Sequence, residues 1–114
     1  MATYTPATLI TSTAFGNGAG NISTWRKQNT AGASTFDIHR TTIVDTPTSS
    51  SHVTLEQGST AADTTAQKIV DAYLLTVNVP QVWNWWITIK NNDYFEGFAD
   101  QTTVNGASYG YTYA

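Results

Sequence analysis

The stretch QVWNWWITIK, residues 81–90, holds three of the chain's four tryptophans. Read with the two-residue period of a strand, it sends Trp83, Trp85, Ile87 and Ile89 to one face and Val82, Asn84, Trp86, Thr88 and Lys90 to the other. The first face is wholly apolar and predicts core packing for Trp83 and Trp85. The second mixes one large ring with amide, hydroxyl and ammonium groups, so Trp86 is expected to meet another surface or a ligand.

The composition around this strand points the same way. Only 11% of the 114 residues are charged, against about 25% in an average soluble domain. Threonine, serine, asparagine and glycine take their place and favour strands and turns over surface helices. The expectation is a mainly β fold in a single domain, residues 1–114. Five basic and eight acidic residues give a net charge of −3, so binding a polyanion requires a local basic face. A surface this poor in charge is also a weak guard against self-association. Without cysteine, disulfides, thiolate catalysis and cysteine-ligated metals are excluded. The opening MATYTPATLITSTAF has no basic n-region followed by a continuous apolar run, which predicts a chain made without a signal peptide in the cytoplasm of its producer.

Along the chain, YTPATLITSTAF (4–15) reads as a first strand and GNGAGN (16–21) as a hairpin turn. ISTWRKQ (22–28) reads as a second strand, NTAGA (29–33) as a turn and STFDIHRTTIVD (34–45) as a long third strand that TPTSSS breaks. HVTLEQG (52–58) is a fourth strand and STAADTTAQ (59–67) a polar linker or a single helical turn. KIVDAYLLTVNVP (68–80) fits either a helix or a strand; its β-branched content favours the strand, ending before Pro80. After the tryptophan strand, NNDYFEGFADQTTV (91–104) places Asn92 or Asp93 as an N-cap, Glu96 three residues beyond Asp93, and Phe95, Phe98, Ala99 and Thr102 on one side, which predicts a short helix. NGASYGYTYA (105–114) reads as an extended tail for docking on another chain. The architecture expected is an antiparallel meander of about six strands with a short C-terminal helix, an α+β arrangement.

Candidate chemistry is sparse. His39 and His52 lie near Asp37, Asp45 and several serines, but no strained nucleophile elbow is present and no close ligand pair beyond Asp37 and His39 stands out, so neither an enzyme nor a metal or other cofactor is expected. The basic residues are better placed. Arg26 and Lys27 adjoin Trp25, His39 and Arg40 sit mid-strand, and Lys90 shares the face of Trp86. Cations interleaved with an aromatic ring suit phosphate contacts and base stacking, although strand parity sets Arg26 and Lys27 on opposite faces. Arg26, Lys27, His39, Arg40, Trp86 and Lys90 are therefore the candidate RNA-binding residues.

VPQVWNWWITIKNND (79–93), an aromatic-containing apolar strand running into an Asn-rich turn, and TWRKQNTAGASTFDIHR (24–40), a basic strand, glycine turn and long strand, resemble the coat proteins of the single-stranded RNA bacteriophages. The resemblance implies a capsid protein that dimerises through one continuous sheet, packs helices across the partner, self-assembles into an icosahedral shell in the virion and binds a hairpin of genomic RNA on its inner sheet face. The chain departs from that pattern after Lys90, where one predicted helix stands in place of two. The alternative expectation is a small β-sandwich, a carbohydrate-binding or fibre and adhesin module, in which Trp86, Tyr109, Tyr111 and Tyr113 form a flat platform of exposed, coplanar rings.

Overall fold

The tryptophan strand is an edge strand of a two-sheet sandwich. A computed structural model describes residues 3–29, 35–46, 50–62, 68–101 and 103–113. Among these residues the chain forms eight strands: β1 (Tyr4–Ala14), β2 (Trp25–Gln28), β3 (Thr35–Asp45), β4 (His52–Gly58), β5 (Lys68–Leu74), β6 (Gln81–Ile89), β7 (Tyr94–Ala99) and β8 (Val104–Tyr113). A 3₁₀ helix over Ala19–Thr24 precedes β2. One sheet has the order β1-β8-β3-β6 and the other β2-β7-β4-β5.

The pairings β1 with β8, β2 with β7, β3 with β6 and β4 with β5 are all antiparallel. They are the rungs of one long ribbon folded at its middle. Wrapping that ribbon brings β8 against β3 and β7 against β4, again antiparallel, and closes two sheets of four. This is the strand order of a double-sheet jelly roll.

The parity expected of residues 81–90 is the parity observed. Ile89 is fully buried, and Trp83, Trp85 and Ile87 pack against the core, while Trp86 is 61% exposed on the opposite face. Trp83 and Trp85 are only half-buried because β6 has a neighbour on one side alone. The fully buried tryptophan is Trp25, which stacks on Phe15 at 4.4 Å and meets Phe95 edge-on at 5.4 Å. Trp85 touches Phe95 edge-on at 6.3 Å, Trp83 stacks on Trp85 at 5.6 Å, and Tyr73 of β5 closes the row against Trp83 at 5.3 Å. An aromatic row thus runs from the centre of the sandwich to the flank where β5 and β6 lie side by side.

The expected six-strand meander with a C-terminal helix is corrected in two places. Residues 94–99 form β7, because Phe95, Gly97 and Ala99 alternate inward and find partners on both sides, in β2 and β4. Asn92 adopts a positive φ of 70° and turns the chain at the position expected of a cap. Paired neighbours on two edges outweigh a local capping signature. The tail is the second correction: it is β8, an inner strand of the first sheet. Its two-residue alternation of Gly106, Ser108, Gly110 and Thr112 against Tyr109, Tyr111 and Tyr113 suits a strand flanked on both sides. Among the described residues no helix follows β6 and the strands form two sheets, so the single-sheet subunit with helices across the partner, implied by the bacteriophage coat resemblance, is not the architecture seen.

Smaller differences are local. β2 begins at Trp25, three residues later than expected, because residues 19–24 are helical, and β5 ends at Leu74. Pro6 lies within β1 without loss because β1 is an edge strand. The expected turn at residues 29–33 and the linker at 59–67 lie largely outside the described residues.

The outer face of the second sheet carries a directly opposed pair, Glu56 and Glu96, each about 1% exposed. Arg26 Nε donates to Glu96 Oε1 at 2.6 Å, and the Ala62 backbone N–H donates to Oε2 at 2.6 Å. Removing Arg26 leaves a buried carboxylate with one donor fewer. Arg26→Ala is expected to cost about 1–3 kcal/mol, since the side chain is a quarter exposed and water supplies part of the loss. Chemical denaturation checks this, and an unchanged midpoint would remove the ion pair from the account of stability.

Candidate functional site

The outward positions of the first sheet gather rings from all four of its strands. Tyr4 of β1 sits 4.6 Å from Tyr113 and meets Tyr111 edge-on at 6.1 Å. Its other edge-on neighbour is Trp86, at 6.4 Å across the width of the sheet. His39 lies between Trp86 at 4.1 Å and Tyr111 at 4.8 Å. Arg40 places its guanidinium 5.1 Å from the centre of the Tyr109 ring.

A β-bulge creates this arrangement. Against β8, Ile38 pairs with Gly110 and Arg40 with Tyr109, so His39 is one residue too many. Against β6, Ile38 pairs with Ile87 and Arg40 with Asn84, leaving Trp85 and Trp86 opposite His39. The extra residue shifts the alternation, and consecutive side chains, His39 and Arg40, both turn toward the outer face while Ile38 and Thr41 stay in the core. The His39 Nε2 atom is buried and has no hydrogen-bond partner.

Beside this cluster a shallow groove of about 530 Å³, widely open to solvent, runs along the sheet. Pro6 and Thr8 form one wall, His39, Arg40 and Asn84 the other, and Tyr109 and Tyr111 stand within it. Tyr4, at the side of the groove, stands edge-on to Trp86 and Tyr111, at 80° and 85°, and His39 is inclined 60° to Tyr111.

The six candidate RNA-binding residues are divided between the sheets. His39, Arg40 and Trp86 share the outer face of the first, and Lys90 follows Trp86 by parity, exposed just beyond β6. Arg26 and Lys27 lie on β2 of the second sheet. There Arg26 is held by Glu96, and the Lys27 ammonium lies 5.1 Å from the Phe36 ring. No local pattern in the sequence joins Arg40 to the tyrosines, because the pairing of β8 with β3 spans most of the chain.

A serine, a histidine and an aspartate do meet, at the opposite sheet. Ser51 Oγ donates to Asp100 Oδ1 at 2.5 Å, the His52 backbone N–H donates to the same oxygen at 2.8 Å, and His52 Nδ1 lies 2.8 Å from Oδ2. The carboxylate takes both partners, so the serine proton points at Asp100 rather than at a histidine base. A nucleophile chain needs serine to histidine to aspartate. The cluster instead ties the start of β4 to the end of β7. Burial pushes the Asp100 carboxyl upward, but the hydrogen bonds from Ser51 and from the His52 N–H and ring outweigh it and hold the group below the ordinary carboxylate range. Nearby Asp45 is shifted upward, chiefly by burial and partly by the charge of Asp100, against the Thr103 and Ser51 hydrogen bonds.

A depressed folded-state value stabilises the fold above the unfolded value and loses that contribution as pH falls through the folded one. Asp45 works oppositely, since protonation relieves its burial. Asp100→Asn is therefore expected to lower Tm at neutral pH and to flatten the decline of Tm below about pH 4. Parallel Tm curves for variant and parent would show that Asp100 carries no such linkage.

No protein-family model matches the chain, and no curated protein matches it. A solved structure of infectious bursal disease virus, Gx strain, is similar over 99% of this chain at 10% identity and a TM-score of 0.43. The chain spans 40% of the length of that structure's chain. Among the described residues no helix is long and apolar enough to cross a membrane, and no group of three or more His, Asp or Glu side chains is placed to hold a metal ion.

Proposed function

We propose that the chain is a structural subunit of a virus particle, built to associate with copies of itself in a capsid shell. The observation that carries the reading is the flank where the edge strands β5 and β6 adjoin. Ile69, Tyr73 and Leu74 on β5, Val82 on β6 and Val79 between them are all exposed, Leu74 by 57%. Edge strands of monomers are ordinarily guarded by charge or cover. Here Lys68 is paired with Asp71 at 3.2 Å, and the rest of the flank is largely apolar or hydroxylic. Jelly rolls serve as viral capsid domains and also as lectins, so the architecture alone supports either; the apolar flank together with a charge fraction of 11% favours the assembling subunit.

Light scattering after size exclusion tests the reading. The parent chain is expected to elute as an oligomer, and a Leu74→Glu, Val82→Glu double variant as a smaller folded species. A parent that stays monomeric at micromolar concentration contradicts it.

A further inference from the structure

We infer that the groove on the outer face of the first sheet is a binding site for a single acidic sugar residue, a pyranose carrying one carboxylate. All its walls come from one chain, so the site does not depend on assembly. Its volume, about 530 Å³ and open to solvent along one side, has room for a single sugar ring lying against the sheet. The polar groups lining it include the Thr8 hydroxyl, the Asn84 amide, the Tyr109 and Tyr111 hydroxyls, the Arg40 guanidinium and the His39 ring. Such groups, spaced around a trough with tyrosine rings and Pro6 as apolar surface, match a ring that bears hydroxyls on its rim and C–H groups on its faces.

The charge pattern selects an acid. The four strands of this sheet carry two carboxylates, Asp37 and Asp45. Asp45 is fully buried, while Asp37 is 3% exposed and accepts a hydrogen bond from Thr88 Oγ1 at 3.0 Å. Neither lines the groove. Arg40 is thus a permanent cation at its wall, with no opposing carboxylate in the lining, and its planar fork suits a carboxylate. The His39 Nε2 atom, buried and unpartnered, adds a polar position in the same wall.

The same pattern disfavours a nucleic acid. A polymer with a phosphate at every residue calls for a series of cations, and the groove offers Arg40 alone as a permanent one, on a chain of net charge −3.

Titrations followed by two-dimensional amide NMR decide the matter, with glucuronate as probe, glucose as its uncharged counterpart and a single-stranded oligouridylate as the nucleic-acid arm. Glucuronate is expected to shift amides of β3, β8 and β6 around the groove and to bind more tightly than glucose. Arg40→Gln, a change at an exposed side chain, should weaken glucuronate about tenfold or more while leaving the rest of the spectrum in place. Asn84→Ala should weaken glucuronate and glucose together. Equal binding of the two sugars, an unaltered affinity in Arg40→Gln, or no shifts with either sugar would overturn the proposal. So would saturation of the same amides by oligouridylate at concentrations where glucuronate has no effect, which would return the face to nucleic acid.

Discussion

Trp25→Ala should be the most destabilising single truncation in the chain, at about 3–5 kcal/mol. The indole is fully buried, stacked on Phe15 at 4.4 Å and edge-on to Phe95 at 5.4 Å. Its Nε1–H donates to the Gly106 carbonyl at 3.0 Å, linking β2 of one sheet to β8 of the other. Alanine leaves a cavity between the sheets and strands that carbonyl. Against a total stability of about 5–15 kcal/mol for a small domain, the variant is expected to be marginal or insoluble. Trp85→Ala should cost less, about 1–3 kcal/mol, since Trp85 is half-buried at an edge and solvent already reaches part of it. Equilibrium denaturation of both variants tests the order. If Trp85 proves the costlier loss, the centre of the sandwich has been misplaced.

Gly110→Ala should be nearly as severe for a different reason. A Cβ at this position would run into the carbonyl oxygen of Asp37, with the Asp37 carbonyl carbon at 2.9 Å and Ile38 Cα at 3.0 Å behind it. These are backbone atoms of β3, beside the bulge, and cannot rotate away as a side chain can. The methyl must push β8 from β3 at the middle of the first sheet, at about 3 kcal/mol or more. Gly20→Ala supplies the contrast, because a Cβ there meets nothing within 4 Å, and it should lie within about 0.5 kcal/mol of the parent. Similar melting points for the two variants would mean that β8 does not approach β3 as closely as described.

What the sequence discloses follows from the range of the interactions involved. The parity of Gln81–Ile89 and the strands at Tyr4–Ala14, Thr35–Asp45 and His52–Gly58 were legible, because apolar residues at a spacing of two need only one covered face to declare themselves. Residues 94–99 carry a helix signature because Asp93 and Glu96 imitate a cap, while the partners that make them a strand, Trp25–Gln28 on one side and His52–Gly58 on the other, lie about 40 to 70 residues away. The alternating tyrosines of β8 carried a strand signal that a tyrosine- and glycine-rich composition obscured. The outer-face cluster was half visible: Trp86, His39 and Arg40 were singled out, but their union with Tyr109 and Tyr111 depends on a bulge that shifts the alternation by one residue. Arg26 looked like a free cation in sequence because Glu96, its partner, lies 70 positions away.

The aromatic row from Phe15 and Trp25 through Phe95, Trp85 and Trp83 to Tyr73 answers what so many rings are for in a chain poor in charge. They fill the space between two sheets and then continue to a flank that one chain alone leaves uncovered. That uncovered flank is the centre of the account. Electron cryo-microscopy of the purified chain tests it most directly: the account predicts closed or extended assemblies in which the β5 and β6 edges lie at the contacts between neighbouring jelly rolls, with Leu74 and Val82 covered. Particles no larger than a single sandwich, or assemblies in which that flank faces solvent, would contradict it.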